Sequence, residues 1–406
     1  MHVGLRLTQV IVIMYLEARR CHGHVIVAGM LIGGDVVIKI EDLFQRWRTT
    51  LERRYGQGFP VEFVDKAHEN LLAAYASFDA SGCADSQFLA ELGSANVNKS
   101  AQRLGEMLLF ERLEHAGYRP EPSPGGWGPD FRIQQDGKQI CLELITPSTG
   151  DDVKINELFA SHDPLNPCPE AATELRQRTL LRMTGAIAEK LAKYERYLRD
   201  GVVGPQDVLV IVVNDALLCP DAFFYGVSHN ADAGVGGQSL AEHAVYGCGQ
   251  SVWELDSEGI NYILKSTFRE IVDNRPEPAR NGNPRKPVPV SLFGSPTEEE
   301  AADIAERSSI ISAVLQVTLR EDYGVLMIQR DKAETDERLW EKLVQPGILV
   351  SNPRARNPID RPSQRRLMKV VEAPPLTVKE LWDLNNRHLK MLLGENYKEQ
   401  PFPGMS

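Results

Sequence analysis

The chain is 406 residues long and has the composition of an ordinary globular protein. Hydrophobic residues make up 42% and charged residues 25% of it, enough apolar side chain to bury a core and too little charge for a disordered chain. The formal net charge is -11, so the surface as a whole repels phosphate. The composition therefore excludes a uniformly basic nucleic-acid-binding protein, and any contact with nucleic acid requires a local basic patch.

Cysteine spacing and apolar runs indicate the compartment. The six cysteines contain no CxxC pair, so the spacing gives neither a zinc ribbon nor a disulfide framework, and free thiols favour a reducing, cytoplasmic location. The apolar runs 10–16 and 25–34 are shorter than the roughly 20 residues of a membrane-spanning helix, so we expect no membrane contact. The cysteines are Cys21, Cys83, Cys141, Cys168, Cys219 and Cys248.

Residues 1–37 are interpreted as an N-terminal extension. Arg6 before an apolar stretch is typical of a secretory signal, but the charged residues Glu17, Arg19 and Arg20 follow at once and no small-x-small cleavage site is well placed. Because Met30 lies just before the first amphipathic segment, an alternative is that the first 30 or so residues do not belong to the native protein.

Residues 38–94 read as a helical preface. Apolar side chains recur at helical spacing over 38–55 and 61–78. A Gly, Ser and Asn cluster follows, in which Asn98 or Ser100 is expected to N-cap the next helix, ending near His115 and stopping at Gly117.

Residues 95–215 show an α/β order of elements. Two short apolar segments, 131–134 and 139–145, flank Asp136-Gly137, a strong hairpin signal. A long helix is predicted over 170–200. The continuously apolar run 208–213 is expected to be a strand buried on both faces of a sheet.

The C-terminal half carries weaker signals. Over 216–350 we expect additional strands and loops on the same domain, with strands 310–317 and 325–328 joining the same sheet. Residues 351–406 are predicted to be mostly loop with one helix near 377–393.

The hairpin brings two acids together. Counting outward from Asp136-Gly137 places Asp130 directly opposite Glu143, with Cβ atoms roughly 4.5 to 5.5 Å apart. Two carboxylates so placed repel unless a divalent cation or a proton lies between them. Glu106 lies among the apolar positions of the preceding helix and is expected to point toward the sheet, so three converging acids would make a magnesium site.

These residues resemble the core of the PD-(D/E)XK nuclease-like superfamily. Glu106 in a helix, Gly128-Pro129-Asp130 before one strand and Cys141-Leu142-Glu143-Leu144-Ile145 in the next resemble its helix, PD and (D/E)xK arrangement over about residues 95–215. The resemblance, to a bacterial-type member, implies a restriction-endonuclease-like mixed sheet flanked by helices. It also implies that the strand acids Asp130 and Glu143 bind Mg²⁺ or Mn²⁺ and that Glu106 assists.

The chain departs from that pattern at the motif lysine, where it has Ile145. Lys138, at the hairpin tip, lies five residues before Glu143, roughly 16 Å along the strand, and cannot replace the motif lysine. Lys190 falls on the apolar stripe of the long helix and is the candidate replacement. The alternative for Lys190 is a structural lysine that packs its stem on that stripe.

The three acids also have an ordinary interpretation. Asp130 after a proline can be a turn residue, Glu143 can face solvent on an edge strand, and Glu106 can be a surface helix residue. Because Glu143 alternates with the apolar Cys141 and Ile145 on one face, we favour burial.

Two basic stretches are the candidate contacts with nucleic acid, although each can equally be a solvated loop. One contains Arg280, Arg285 and Lys286, and the other contains Arg354, Arg356, Arg361, Arg365 and Arg366. Neither has interleaved aromatic residues, so base stacking is not implied.

Other candidate sites are weaker. Gly234-Val235-Gly236-Gly237 lacks the flanking strand and helix of a nucleotide fingerprint. His229, His243 and Cys248 have no recognised metal-ligand spacing.

The sequence thus leaves three hypotheses. The leading one is a metal-dependent phosphodiesterase, active or lapsed, with Glu106, Asp130, Glu143 and Lys190 at its site. The second is a non-catalytic binding or scaffold protein that keeps the fold. The third is a hydrolase on another α/β fold, with its site within 219–258.

Overall fold

The computed structural model describes most of the chain between residues 39 and 369. The described residues are 39–55, 61–123, 127–150, 152–161, 169–218, 239–246, 248–255, 262–268, 271–272, 288–289, 306–321 and 347–369. The predicted extension at 1–37, the strand at 325–328 and the helix at 377–393 lie outside them.

Four helices precede the first strand: α1 (Ile40–Tyr55), α2 (Val61–Ala80), α3 (Ser86–Leu92) and α4 (Val97–His115). The predicted helices match α1, α2 and α4, whereas α3 was not predicted. The α1 stripe of Leu43, Trp47 and Leu51 is buried, as its helical spacing indicates.

The N-cap of α4 differs from the prediction. The N-cap is Asn96, whose side chain accepts hydrogen bonds from the backbone N–H groups of Asn98 and Lys99. Asn98 and Ser100, the expected caps, lie within the first turn. The other end is as predicted: the helix ends at His115, and Gly117 takes a positive φ of 79°.

Strands β1 (Phe131–Gln135) and β2 (Lys138–Ile145) form the predicted hairpin. Asp136 and Gly137 have φ values of 50° and 77°, the two positive values that a type I′ turn requires. Gln135 pairs with Lys138 and Phe131 with Leu142, in antiparallel register. The register counted from the sequence is therefore confirmed.

The chain continues through α5 (Val153–Ser161) and the long α6 (Pro169–Arg199) into β3 (Val208–Asn214). β3 pairs parallel to β2, and every one of its residues is buried. This agrees with the prediction of a strand covered on both faces.

The second half adds α7 (Leu240–Tyr246), β4 (Cys248–Leu255), β5 (Tyr262–Phe268), β6 (Ile271–Val272), β7 (Val288–Pro289), β8 (Ala313–Val317), β9 (Gly347–Ser351) and α8 (Arg361–Lys369). β8 lies parallel to β3 and β9 antiparallel to β8, so the main sheet has the order β1-β2-β3-β8-β9. The strand expected within 310–317 is thus confirmed in this sheet as β8, whereas β4 to β7, where no strand was predicted, pair as two separate two-stranded ladders.

The interpretation of the segment after β9 as loop is wrong at α8. Asp360 accepts a hydrogen bond from the backbone N–H of Ser363, and this N-cap, with Pro362 in the first turn, starts a helix. Arg361, Arg365 and Arg366 therefore belong to a helix and not to a loop.

The mixed sheet separates two buried layers. On one face, α1 to α4 pack against alternating residues that include Leu142, Leu144 and Val210. On the other, α6 and α7 pack against the intervening residues, including Cys141 and Ile211. The predicted α/β class, a mixed central sheet flanked by helices, is confirmed. Within the described residues no helix combines the length and apolar content needed to cross a membrane.

Candidate functional site

Asp130 is held beside Glu143 at the start of the hairpin. Extending the β1–β2 register by one position, from Phe131 opposite Leu142, places Asp130 opposite Glu143. One Asp130 oxygen, Oδ2, accepts a hydrogen bond of 2.7 Å from the backbone N–H of Leu144. The acid is thus fixed to the neighbouring strand, and a turn residue facing solvent does not describe it.

Glu143 is a fully buried carboxylate on the α6 face of the sheet, with 0% of its surface exposed. Its Oε1 accepts from Lys190 Nζ at 2.7 Å and from Lys193 Nζ. Burial, followed by the charge of Asp130, raises the pKa of Glu143, while the two lysines oppose that rise. The burial inferred from its apolar neighbours Cys141 and Ile145 is confirmed.

The second oxygen of Glu143, Oε2, is buried and has no hydrogen-bond partner. A buried carboxylate oxygen without a partner is costly and marks an incomplete environment. With Asp130 it provides two oxygen donors, the ligand type that Mg²⁺ and Mn²⁺ prefer, and Mg²⁺ commonly uses only one or two carboxylates and retains water. Asp130 and Glu143 therefore supply oxygens of the chemical type that such a cation takes.

A three-acid cation site is not formed. Within the part of the chain that the structure describes, no group of three or more His, Cys, Asp or Glu side chains is arranged to hold a metal ion. Glu106 instead uses both oxygens within α4, accepting from Gln102 Nε2 at 3.0 Å and from Arg103 Nη1 at 2.7 Å.

Glu106 is buried against the sheet, as its place on the helix predicts. Burial, and then the charge of Asp130, raises the pKa of Glu106 to about 7, although Arg103 lowers it in part. Its carboxyl can therefore change protonation near neutral pH.

Gln102 joins the site helix to β2. Its Nε2 donates to the carbonyl of Leu144 at 3.0 Å, and its Oε1 accepts from the N–H of Thr146 at 2.8 Å. This amide fixes α4 against the carboxyl end of the strand that carries Glu143.

An open cleft of about 320 Å³ lies over these residues. Its lining contains three of the four predicted site residues, Glu106, Asp130 and Lys190. Ile145 lines the cleft at the position of the motif lysine. Glu143 is not in the lining and lies beneath Lys190 and Lys193. The full lining is Gln102, Arg103, Glu106, Asp130, Ile145, Glu189, Lys190 and Lys193.

Lys193 is a cation of the cleft lining that the sequence did not predict. Burial disfavours its charge, but the nearby Glu143 carboxylate outweighs burial, so the pKa of Lys193 is raised and the ammonium is retained. Its Nζ also lies 5.5 Å from the centre of the Tyr197 ring, within cation–π range.

The site residues that the sequence did not predict have a simple relation to those that it did. Gln102 and Arg103 lie four and three positions before Glu106, and Lys193 lies three after Lys190. These spacings place the missed side chains on the same helix face as the predicted residues, but helical spacing alone does not show which side chains of that face reach the site.

Lys138 is excluded from the cleft, as expected. It is exposed at the hairpin tip, with Nζ 3.6 Å from Asp360 Oδ2. Lys190, by contrast, is directed at Glu143 from the α6 face.

Of the predicted basic contacts, Arg280, Arg285 and Lys286 lie outside the described residues. Arg356 lies 3.5 Å from Glu306 in an exposed ion pair. Among the C-terminal arginines whose side chains the structure describes, Arg354, Arg356 and Arg361 are not in the cleft lining.

Among the weaker candidates, the glycine-rich segment 234–237 and His229 lie outside the described residues. His243 is buried in α7, with Nδ1 2.9 Å from Arg176 Nη2. Among the described residues, His243 belongs to no group of three or more His, Cys, Asp or Glu side chains that could hold a metal ion.

Comparison with known proteins gives no relative: no protein-family model, curated protein or solved structure matches the chain.

Proposed function

We propose that this protein is a divalent-metal-dependent phosphodiesterase of the nuclease type, built on a restriction-endonuclease-like core. The observation that carries the proposal is the buried Glu143, whose Oε2 has no hydrogen-bond partner. This carboxylate lies opposite Asp130 and beneath two lysines. The sequence pattern of helix, PD and (D/E)xx supports the same assignment.

The acids and lysines have separate tasks. Asp130 and Glu143 would hold Mg²⁺ or Mn²⁺, and a bound cation supplies Lewis-acid polarisation of a phosphoryl oxygen and lowers the pKa of water. Lys190 holds the Oε1 atom of Glu143 at 2.7 Å and places its positive charge at the cleft, where it can stabilise a phosphate oxygen.

Glu106 and Arg103 form the other wall of the cleft. The salt bridge of 2.7 Å between them, and a second from Arg103 to Glu91 at 2.6 Å, fix the guanidinium. A guanidinium so fixed presents donors to a phosphate without the cost of ordering a free side chain. Glu106 is thus a positioning residue in this proposal.

The first experiment is calorimetric titration of the protein with Mg²⁺ and Mn²⁺. We expect binding by the wild type and loss of binding by Asp130→Asn combined with Glu143→Gln, because these carboxylates supply the oxygens of the proposed cation site. Asp136→Asn removes one carboxylate from the exposed hairpin turn and should bind as the wild type does. Equal binding by the double variant would disprove the cation site.

A second experiment tests Lys190 by cleavage of a labelled oligonucleotide. Lys190→Met keeps the apolar stem and removes the charge, so we expect about 100-fold slower cleavage or worse, with cation binding retained. Lys138→Met, an exposed lysine on the hairpin, is the matched control. Unchanged cleavage by Lys190→Met would remove Lys190 from the mechanism.

The alternative function is a non-catalytic binding or scaffold protein that retains the nuclease-like fold. Two observations favour it. Lys190 and Lys193 both form ion pairs with Glu143, and Ile145 occupies the position of the motif lysine. In that case the acid and the lysines form a buried ion cluster. Absence of cation binding by the wild type would favour this alternative.

A further inference from the structure

We propose that Trp127 is a stacking platform for an unpaired base, so that the substrate of this cleft is single-stranded nucleic acid. The inference rests on the proposed phosphodiesterase function and goes further, because it names the form of the substrate.

Trp127 is unusually exposed for its residue type. Its exposed fraction is 56%, and it is the aromatic residue among the large hydrophobic side chains that are exposed in the described parts of the chain. Tryptophan normally buries most of its large apolar surface. A tryptophan left in water beside a catalytic cleft is a candidate contact for a flat ligand.

The indole packs against Tyr197 on α6. Its ring centre lies 5.7 Å from that of Tyr197 at an interplanar angle of 83°, an edge-to-face contact. The Lys193 ammonium lies over the ring of Tyr197. The Tyr197 hydroxyl donates a hydrogen bond of 2.6 Å to the carbonyl of Gly128. The pair of Trp127 and Tyr197 therefore adjoins Lys193, a cation in the cleft lining.

The backbone that carries Trp127 is fixed by close contacts. Gly128 has a φ of 147°, and a Cβ there would lie 2.5 Å from Ser123 Oγ. Ser123 donates to the carbonyl of Pro129, and Arg132 Nη2 donates to the carbonyl of Val202 at 2.7 Å. The backbone directly after the exposed indole is thus held in place by contacts at Gly128 and Pro129, which reduces the cost of fixing the ring on binding.

The position of Trp127 matches a nucleotide next to the reacting phosphate. It lies three residues before Asp130, which limits the distance along the chain to about 10 Å. Lys193 adds a positive charge between the indole and the acids. An exposed aromatic ring followed by a cation is the arrangement by which proteins bind single strands, since bases of a duplex are not free to stack on a side chain.

The test compares two single-stranded probes by fluorescence anisotropy, with Ca²⁺ in place of Mg²⁺. One is fluorescein-labelled oligothymidylate and the other is an abasic oligomer of the same length, which keeps the phosphates and lacks the bases. We expect the wild type to bind the oligothymidylate about 10-fold more tightly than the abasic oligomer. A duplex of the same length should bind no better than the abasic oligomer.

Trp127→Ala should abolish the preference for the base-bearing probe, and Trp127→Phe should keep most of it. Val153→Ala truncates another exposed hydrophobic side chain, 66% exposed on α5, and should behave as the wild type does. Lys193→Met should weaken binding of both probes alike, because it removes a phosphate contact.

Equal binding of the two probes by the wild type, or an unchanged preference in Trp127→Ala, would overturn the inference. Cleavage of oligothymidylate by the wild type is measured in parallel. Cleavage without any dependence on Trp127 would leave the proposed phosphodiesterase intact and remove only the stacking role. Failure of the wild type both to bind and to cleave any probe would reject both.

Discussion

Glu106 has the most consequential protonation equilibrium among the predicted site residues. Its carboxyl is buried, lies near Asp130 and has its pKa raised to about 7 from an ordinary value of 4.5. The folded protein therefore binds a proton at Glu106 more tightly than the unfolded chain does. The stabilisation from this proton is complete below about pH 4.5 and is lost as the pH rises through about 7.

Replacing Glu106 with Gln should remove this pH dependence. Since one unit of pKa corresponds to 1.36 kcal/mol, the unfolding free energy of Glu106→Gln relative to the wild type should rise by about 3 kcal/mol from about pH 4 to about pH 8. Urea denaturation at the two pH values, without divalent cations, measures the change. Glu189→Gln, an exposed carboxyl in the same cleft, is the control. A difference that does not vary with pH would contradict the raised pKa.

At the scale of single residues, the sequence predicted the parts of the site that local geometry determines. Asp130 and Glu143 could be paired because Asp136-Gly137 sets the hairpin register, and that register reaches both acids within seven positions. Lys193 and Arg103 depend on how far each helix rotates about its axis against the sheet. Periodicity defines a face only to within a residue or two, so those side chains could not be assigned.

The hairpin turn is the element on which the position of the acids depends. Gly137 takes a φ of 77°, and a Cβ there would meet nothing within 4 Å. Any cost of adding a side chain is therefore conformational, since a residue with a Cβ disfavours the left-handed region.

The change Gly137→Ala should destabilise the fold by about 1 kcal/mol. Its control, Gly185→Ala in α6, should stabilise by up to about 1 kcal/mol, because Gly185 is helical and exposed and has no atom within 4 Å of an added Cβ. Chemical denaturation of both variants measures the sign of each change in the free energy of unfolding. A Gly137→Ala variant that is as stable as the wild type or more so would show that the hairpin turn does not require glycine.

Other elements were missed where their cause is tertiary or lies in capping. The helix α8 depends on Asp360, whose side chain accepts from Ser363, within a stretch whose arginines and prolines suggested a loop. β9 is a strand because it pairs with β8, a partner 30 or more residues earlier. β4 and β5 pair with one another, and their composition gives no indication that they would leave the main sheet.

The close approach of α4 to the sheet also lies beyond sequence patterns. A Cβ at Gly105 would come within 2.7 Å of Asn214 Nδ2, so glycine allows the helix to pack directly on the end of β3. The adjacent Glu106 is brought against the sheet by this packing. A glycine in a helix otherwise predicts only reduced helix stability.

On the scale of the whole molecule, one sheet is shared by two buried layers. The layer of α1 to α4 and the layer of α6 and α7 contact alternate residues of the same strands, as Leu142 and Cys141 show on β2. Because Glu106 belongs to the first layer and Lys190 to the second, the cleft forms only when both layers pack on the sheet. The candidate site is therefore expected to share the stability of both.

Two buried methionines test whether the layers unfold together. Met107 on α4 and Met183 on α6 are both 0% exposed and belong to different clusters. Each change to Ala should cost about 2 to 5 kcal/mol through lost burial and a cavity. Because the sheet separates the two side chains, the costs should add to within about 0.5 kcal/mol in the double variant.

The measurement is urea denaturation followed by circular dichroism and by tryptophan fluorescence. If the sheet couples the layers, both variants shift the same transition, and the two signals stay coincident. A transition that splits in only one of the variants would show that the layers unfold separately. The cleft could then be lost, by release of α6 and its two lysines, while the layer carrying Glu106 remained folded.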